Sequence, residues 1–255
     1  MSSFSSPHAT IPPHLSVTQQ QLDAFPAYTQ WLRTLTASLA AQSAAAHPFH
    51  SDPYTLRTIT LTSATHFGPR LGFVTLDAHV ANAGGETLPG TVFLRGGSVA
   101  MLLVLTERGA ADEWAVLTVQ ARVPAGSLAL AELPAGMLDA HATFAGAAAT
   151  EIEQECGIVI REDELLDLGK MAGLEGGVFP SPGGCDEEMR LFACRHAVEK
   201  GRLAEWRGKL TGLRDEGEKI TLKLVKLENL WKETRDAKAL CAVALWDGLR
   251  KEGKL

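Results

Sequence analysis

The sequence predicts an α+β protein, with helices layered on a mixed sheet. Two observations give the elements. Short β-branched runs bounded by Gly or Pro fill the chain from Tyr54 onward, and helical periodicity is confined to a few separate stretches. A third gives the class: strands and helices mix without regular βαβ alternation. That favours an α/β/α sandwich over a barrel or a doubly wound sheet.

In chain order, the Ser/Pro-rich start "MSSFSSPHATIPPHLS" reads as a tail. Ser16-Val17-Thr18-Gln19 fits a capping box and predicts a helix start. Pro26 breaks that helix and opens another, with Tyr28, Leu32, Leu35 and Leu39 on one stripe. Pro48 and Pro53 close this helical arm, giving a first segment of 1-53. "YTLRTITLTSAT", "RLGFVTLDAHVA" and "ETLPGTVFLRG" then predict a small antiparallel β unit over 54-97. The main domain, 98-255, opens with strands "SVAMLLVLTE" and "WAVLTVQARVP" around a turn at Gly109–Glu113, and a third strand ends at "ELPAG".

Thr143–Cys156 follows with Ala145, Ala148, Ala149, Ile152 and Cys156 on one helical face, and Gly157 is suited to stop it. "ELLDLGKMAGLE", "MRLFACRHAV" and "KITLKLVKL" predict further strands. The tail Asp236–Lys251 predicts a helix with Leu240, Val243 and Ala244 on its packing side.

The totals exclude several classes. A net charge of −6 argues against a nucleic-acid clamp. No apolar run reaches the ~18–20 residues of a membrane span. Four dispersed cysteines form no C-x-x-C pair, so a reduced, cytoplasmic setting is the expectation. The tail lacks a secretory pattern and is poor in arginine; organellar targeting by it stays open. Phosphate-loop, dinucleotide, nucleophile-elbow and H-E-x-x-H motifs are all missing.

"ATEIEQECGI" carries the chemical signal. Glu151 and Glu155 stand four apart, offset by about 40° and ~6 Å on a helix, so their carboxylates converge and repel. A divalent cation with hard oxygen ligands turns that repulsion into attraction. Two solvated helix glutamates are the plainer alternative. Glu153 points away from Glu155 and reads as surface.

With the loop "ELPAGMLD" before it, this helix resembles the Nudix box, G-x5-E-x7-R-E-U-x-E-E-x-G-U. Gly136 takes the first position, and Glu151, Ile152, Glu155, Gly157 and Ile158 match. Ala142, Thr150 and Gln154 depart from it. Losing Ala142's glutamate and Thr150's arginine together leaves no orphan charge, whereas Gln154 weakens a second metal site. Further motifs resemble the ADP-sugar and ADP-ribose pyrophosphatase branch in family order: "FPSPGGCDEE", "LTGLRDEGEKITLKLV" and "TRDAKALCAVAL". Around "LPGTVFLRGGSVAMLLVL" the chain looks like plant and fungal ADP-sugar diphosphatases.

The resemblance implies a Nudix-type α/β/α sandwich that cleaves ADP-ribose or ADP-glucose to AMP and a sugar 1-phosphate with Mg²⁺, or Mn²⁺ in its place. It implies metal ligands at Glu151, Glu155, the Ala135 carbonyl and Glu187, and a water-activating base at Glu216 with Glu218 beside it. Arg122 is implied to contact the diphosphate or terminal sugar, with Glu132 nearby. Gly183 and Gly184 would allow close approach of the nucleotide. It implies a homodimer built through the N-terminal β unit. By residue type alone, Glu187 and Glu188 fit a solvated loop, Glu216 and Glu218 a mixed-charge surface, Gly183 and Gly184 a simple turn, and Arg122 a partner for Glu132. A Nudix hydrolase of another nucleoside diphosphate derivative, or a silent Nudix-like nucleotide binder, is the alternative function.

Overall fold

The computed structural model describes residues 8–137, 143–212 and 219–255. The chain divides into two compact units, 1–97 with 181–187, and 98–180 with 188–255.

In the first unit, β1 (Ala9–Thr10), β2 (Thr55–Phe67), β3 (Arg70–Ala81) and β4 (Thr87–Leu88) lie in that order, and β5 (Thr91–Leu94) also pairs with β3. Every pairing is antiparallel except that of β1 with β2. Helices α1 (Gln19–Asp23) and α2 (Pro26–Ala41) share this sheet's core, where Leu22, Phe25 and Tyr28 are buried with Ile59, Leu61 and Leu76. Pro26 opens α2 as expected. The capping box, however, belongs to Thr18 and Gln21. Ser16, the residue expected to cap, instead sits at φ 54°. The buried Gln42 joins the end of α2 to Tyr54, accepting its N–H at 2.8 Å and donating to its carbonyl at 2.9 Å.

The second unit holds an eight-stranded mixed sheet. Its elements are β6 (Ser98–Glu107), β7 (Glu113–Arg122), β8 (Ser127–Glu132), β9 (Ala135–Met137), α3 (Phe144–Cys156), β10 (Leu166–Asp167), α4 (Leu168–Met171), β11 (Met189–Val198), α5 (Arg202–Trp206), β12 (Leu210–Thr211), β13 (Ile220–Lys226), α6 (Leu230–Glu233) and α7 (Ala237–Lys251). The strand order is β10-β11-β6-β7-β13-β12, with β8 on β7 and β9 on β6. Only β6 and β11 run parallel.

The first eight residues of β6 are buried without alternation, because helices cover both faces of the sheet. Val99, Met101, Leu103 and Leu105 pack with α3 and α5. Ala100, Leu102 and Val104 pack with α4, α6 and α7. The α+β class and the layered sandwich are thus as the sequence predicts.

Two local expectations fail. "ELLDLGKMAGLE" pairs only at Leu166–Asp167. Asp167 then accepts the Lys170 N–H at 2.9 Å and caps the short helix α4. On α7 the packing face is Ala239, Ala242, Trp246 and Leu249, while Leu240 and Ala244 are exposed. Small alanines let α7 lie close to the sheet, and the fully buried Trp246 fills what remains. Trp246→Ala should therefore cost about 3–5 kcal/mol in urea unfolding. Leu240→Ala should stay within about 0.5 kcal/mol.

Candidate active site

In the second unit the site is built around the end of α3. Thr143 caps its start by accepting the Gly146 N–H at 2.9 Å. Gly157, at φ 68°, ends it in the left-handed region, with its N–H on the Glu153 carbonyl at 2.9 Å. Thr211 donates its hydroxyl to the Glu155 carbonyl, one of the unpaired acceptors at this helix end. Ala148, Ile152 and Cys156 are buried against β6, as their spacing predicts. Glu153 and Gln154 are exposed. Thr150 donates to the Gly146 carbonyl at 3.0 Å, its own helix's backbone four residues back.

Glu155 is not a solvated helix glutamate: only 2% of it is exposed. Its Oε2 accepts the Ala135 N–H at 3.1 Å, and its Oε1 lies 3.4 Å from the buried Gln120 amide. The carboxylate is therefore fixed against the Pro-Ala-Gly segment at the start of β9. It stands in the last turn of α3, where the helix dipole disfavours an anion; that turn has no basic residue of its own, and the Lys209 ammonium approaches the Gly157 cap from outside the helix. The dipole and the buried carboxylate's own charge both favour a cation beside it. Its hard oxygens and the adjoining Ala135 backbone suit a divalent ion of the Mg²⁺ type. Among the described residues, no three His, Cys, Asp or Glu side chains cluster closely enough to hold an ion. The side chain of Glu151, and all of Ala142, Glu216 and Glu218, lie outside the described residues.

Glu132, at the end of β8, is buried in a charged network. Its Oε1 meets Arg122 Nε at 2.6 Å, and its Oε2 meets Lys238 Nζ at 2.5 Å. The Arg122 side chain keeps 41% of its exposure, so it is both the partner of Glu132 and open to solvent. Sequence reading missed Gln120 and Lys238. Thr118, Gln120 and Arg122 are polar at alternate positions after the apolar run Trp114–Leu117, and that alternation is the signal that could have found the first. Lys238 lies 106 residues from Glu132, and nothing local marks it.

The 181–187 loop belongs to the first unit. Phe93 donates to the Gly184 carbonyl at 2.8 Å. The Asp186 carboxylate accepts the N–H of Arg95 at 2.7 Å and of Gly96 at 3.1 Å. Burial pushes the Asp186 carboxyl up from its ordinary value, against the lowering by these amides. Glu187 is mostly covered and pairs with Arg95 at 3.4 Å, so it is not a freely solvated loop residue. Glu188 accepts the Gly177 N–H at 2.5 Å within the second unit. Gly183 and Gly184 are exposed, have no positive φ, and would meet nothing within 4 Å if given a Cβ. They form a turn that leaves their backbone open to approach.

With this geometry in hand, comparison with known proteins gives the class. The NUDIX domain family matches residues 94–243. Nudix hydrolase 14, chloroplastic, of Arabidopsis thaliana is 39% identical over 230 residues, covering 89% of this chain and 71% of that protein. A crystal structure of an ADP compounds hydrolase shares the fold at a TM-score of 0.50 and 14% identity, over 79% of this chain and 99% of its own. The chain belongs to the Nudix hydrolase family, as its ordered motifs indicate. It is a hydrolase of nucleoside diphosphate derivatives, a class of enzymes that work with divalent metal ions. No helix among the described residues is long and apolar enough to cross a membrane.

All four cysteines are free thiols. Burial, then the nearby Glu155 charge, pushes the Cys156 thiol far up, and burial pushes Cys194 up to about 11. At pH 8 Cys194 is held as the thiol, not the reactive thiolate. Iodoacetamide at pH 8 should therefore leave Cys156 and Cys194 unmodified in the native protein. Peptide mass spectrometry with and without urea checks this.

Proposed function

We propose that the protein hydrolyses the diphosphate of an ADP-sugar, ADP-ribose or ADP-glucose, to AMP and the sugar 1-phosphate, with Mg²⁺ or Mn²⁺ bound. The observation that carries this reading is the buried Glu155 carboxylate, oriented by the Ala135 N–H at a helix end that favours a cation. The ADP-sugar specificity is supported by the S-P-G-G and G-L-x-D-E-x-E motifs and by the run around "LPGTVFLRGG".

Glu151, Glu155 and the Ala135 carbonyl would hold the ion; Glu187 as a further ligand rests on the S-P-G-G motif alone. When bound, the ion neutralises diphosphate oxygens and the leaving phosphate. Glu216 takes a proton from the attacking water, with Glu218 beside it; these two roles rest on the motif alone. Arg122 offers its part-exposed guanidinium to the diphosphate, and the buried Glu132 orients it. The open turn at Gly183 and Gly184 admits the nucleotide. Glu155 is almost fully buried beside the core residues Ile152 and Cys156, so its charge is weakly screened by solvent.

A homodimer joined through residues 54–97 belongs to the same proposal. Light scattering should then give twice the chain mass of 27.3 kDa; a monomeric mass contradicts it. A cytoplasmic location is proposed, with organellar delivery its alternative, since the Arabidopsis relative is named as chloroplastic.

The direct test is a panel of ADP-ribose, ADP-glucose and other nucleoside diphosphate derivatives, with and without Mg²⁺. AMP should appear from the ADP-sugars only with metal. Glu155→Gln should lower kcat by about 100-fold or more with the fold retained. Near-normal turnover would remove Glu155 from the chemistry.

A further inference from the structure

We propose that Lys238 is a positioning residue that sets the orientation of Arg122 through Glu132. This rests on the reading of Arg122 as a diphosphate-binding group and extends it to a residue 116 positions further along the chain.

The geometry divides Glu132 between two cations. Lys238 Nζ takes Oε2 at 2.5 Å, and Arg122 Nε takes Oε1 at 2.6 Å. The carboxylate is almost fully covered, with 4% side-chain exposure. A carboxylate with both oxygens free engages a guanidinium through two parallel N–H bonds, one to each oxygen. With Lys238 on Oε2, Arg122 meets the carboxylate at a single point, through Nε. Among the described residues, no other hydrogen bond or ion pair engages its two terminal nitrogens. Those two nitrogens form the fork that matches two oxygens of a phosphate.

Lys238 is itself fixed. Its ammonium lies 3.1 Å from Asp236 Oδ2, and its backbone N–H donates to Asp236 Oδ1 at 3.2 Å at the start of α7. Asp236 Oδ2 in turn accepts the Leu133 N–H at 3.0 Å, next to Glu132. Two carboxylates and two cations cancel, so no unpaired charge is buried. The network thus holds Arg122 turned away from Glu132 at its outer end. Without the ammonium, Arg122 would rotate to satisfy both Glu132 oxygens, and its fork would be lost to the substrate.

Steady-state kinetics on ADP-ribose with Mg²⁺ tests this, using Lys238→Met, Arg122→Gln and the double variant. Lys238→Met should raise KM by about tenfold with kcat within about threefold of wild type, the pattern of lost substrate binding. The double variant should be no worse than Arg122→Gln, because both changes remove one interaction. If Arg122→Gln raises KM and Lys238→Met does not, or if the two effects multiply, the inference is overturned while the reading of Arg122 stands. If Arg122→Gln leaves KM unchanged, that reading fails first. Should Lys238→Met not fold, Lys238→Ala, which removes the donor from Glu132 and leaves no bulk behind, carries the test. A KM raised about threefold or more with kcat retained supports the proposal, and an unchanged KM overturns it.

Discussion

The hydrogen bond from the Ala135 N–H to Glu155 is the constraint on which the second unit's site depends. It puts an acidic side chain where two general effects oppose it. Removing a carboxylate from water costs several kcal/mol even after relaxation. The last turn of a helix adds the negative end of the macrodipole. One backbone amide and the Gln120 side chain orient the carboxylate. The dipole reverses sign for a cation, and a carboxylate held out of water attracts one strongly, which makes the end of α3 a natural place for a divalent ion.

The rest of that unit serves this placement. Strand β6 is buried on both faces, so it is a fixed rail against which β9 is registered at Ala100 and Ala135. The Ala148–Ile152–Cys156 stripe fixes the rotation of α3 on that rail. Pro134 is secured by the Met101 N–H on its carbonyl at 2.9 Å, and Leu133 by Asp236. The segment that touches Glu155 is thus held from both the sheet and α7. Glu132, beside it in sequence, faces Arg122, so one short stretch serves both a candidate ligand and a candidate phosphate grip.

Much of this was legible in the sequence because the motifs are local. The α3 stripe, the Gly157 stop and the strand blocks each depend on residues a few positions apart. What escaped depends on distant partners. Lys238 acquires its meaning only from Glu132, and Gln120 only from Glu155, 35 residues away. The α7 face was misread because Leu240 looks more like core than Ala239 or Ala242, yet close packing against a sheet selects small residues. In "ELLDLGK" the leucines suit strand and helix alike; Asp167, caught by the Lys170 amide, decides for helix. Two capping boxes overlap at 16–21, and Thr18 takes the role where Ser16 adopts a left-handed backbone.

Manganese binding followed by electron paramagnetic resonance tests the central claim most directly, since it reads the ion without requiring turnover. Wild-type protein at neutral pH should bind Mn²⁺, and Glu155→Gln, with its circular dichroism unchanged, should bind it at least about tenfold more weakly. Equal affinity in the two proteins would mean that the buried carboxylate holds no ion, and would contradict the account.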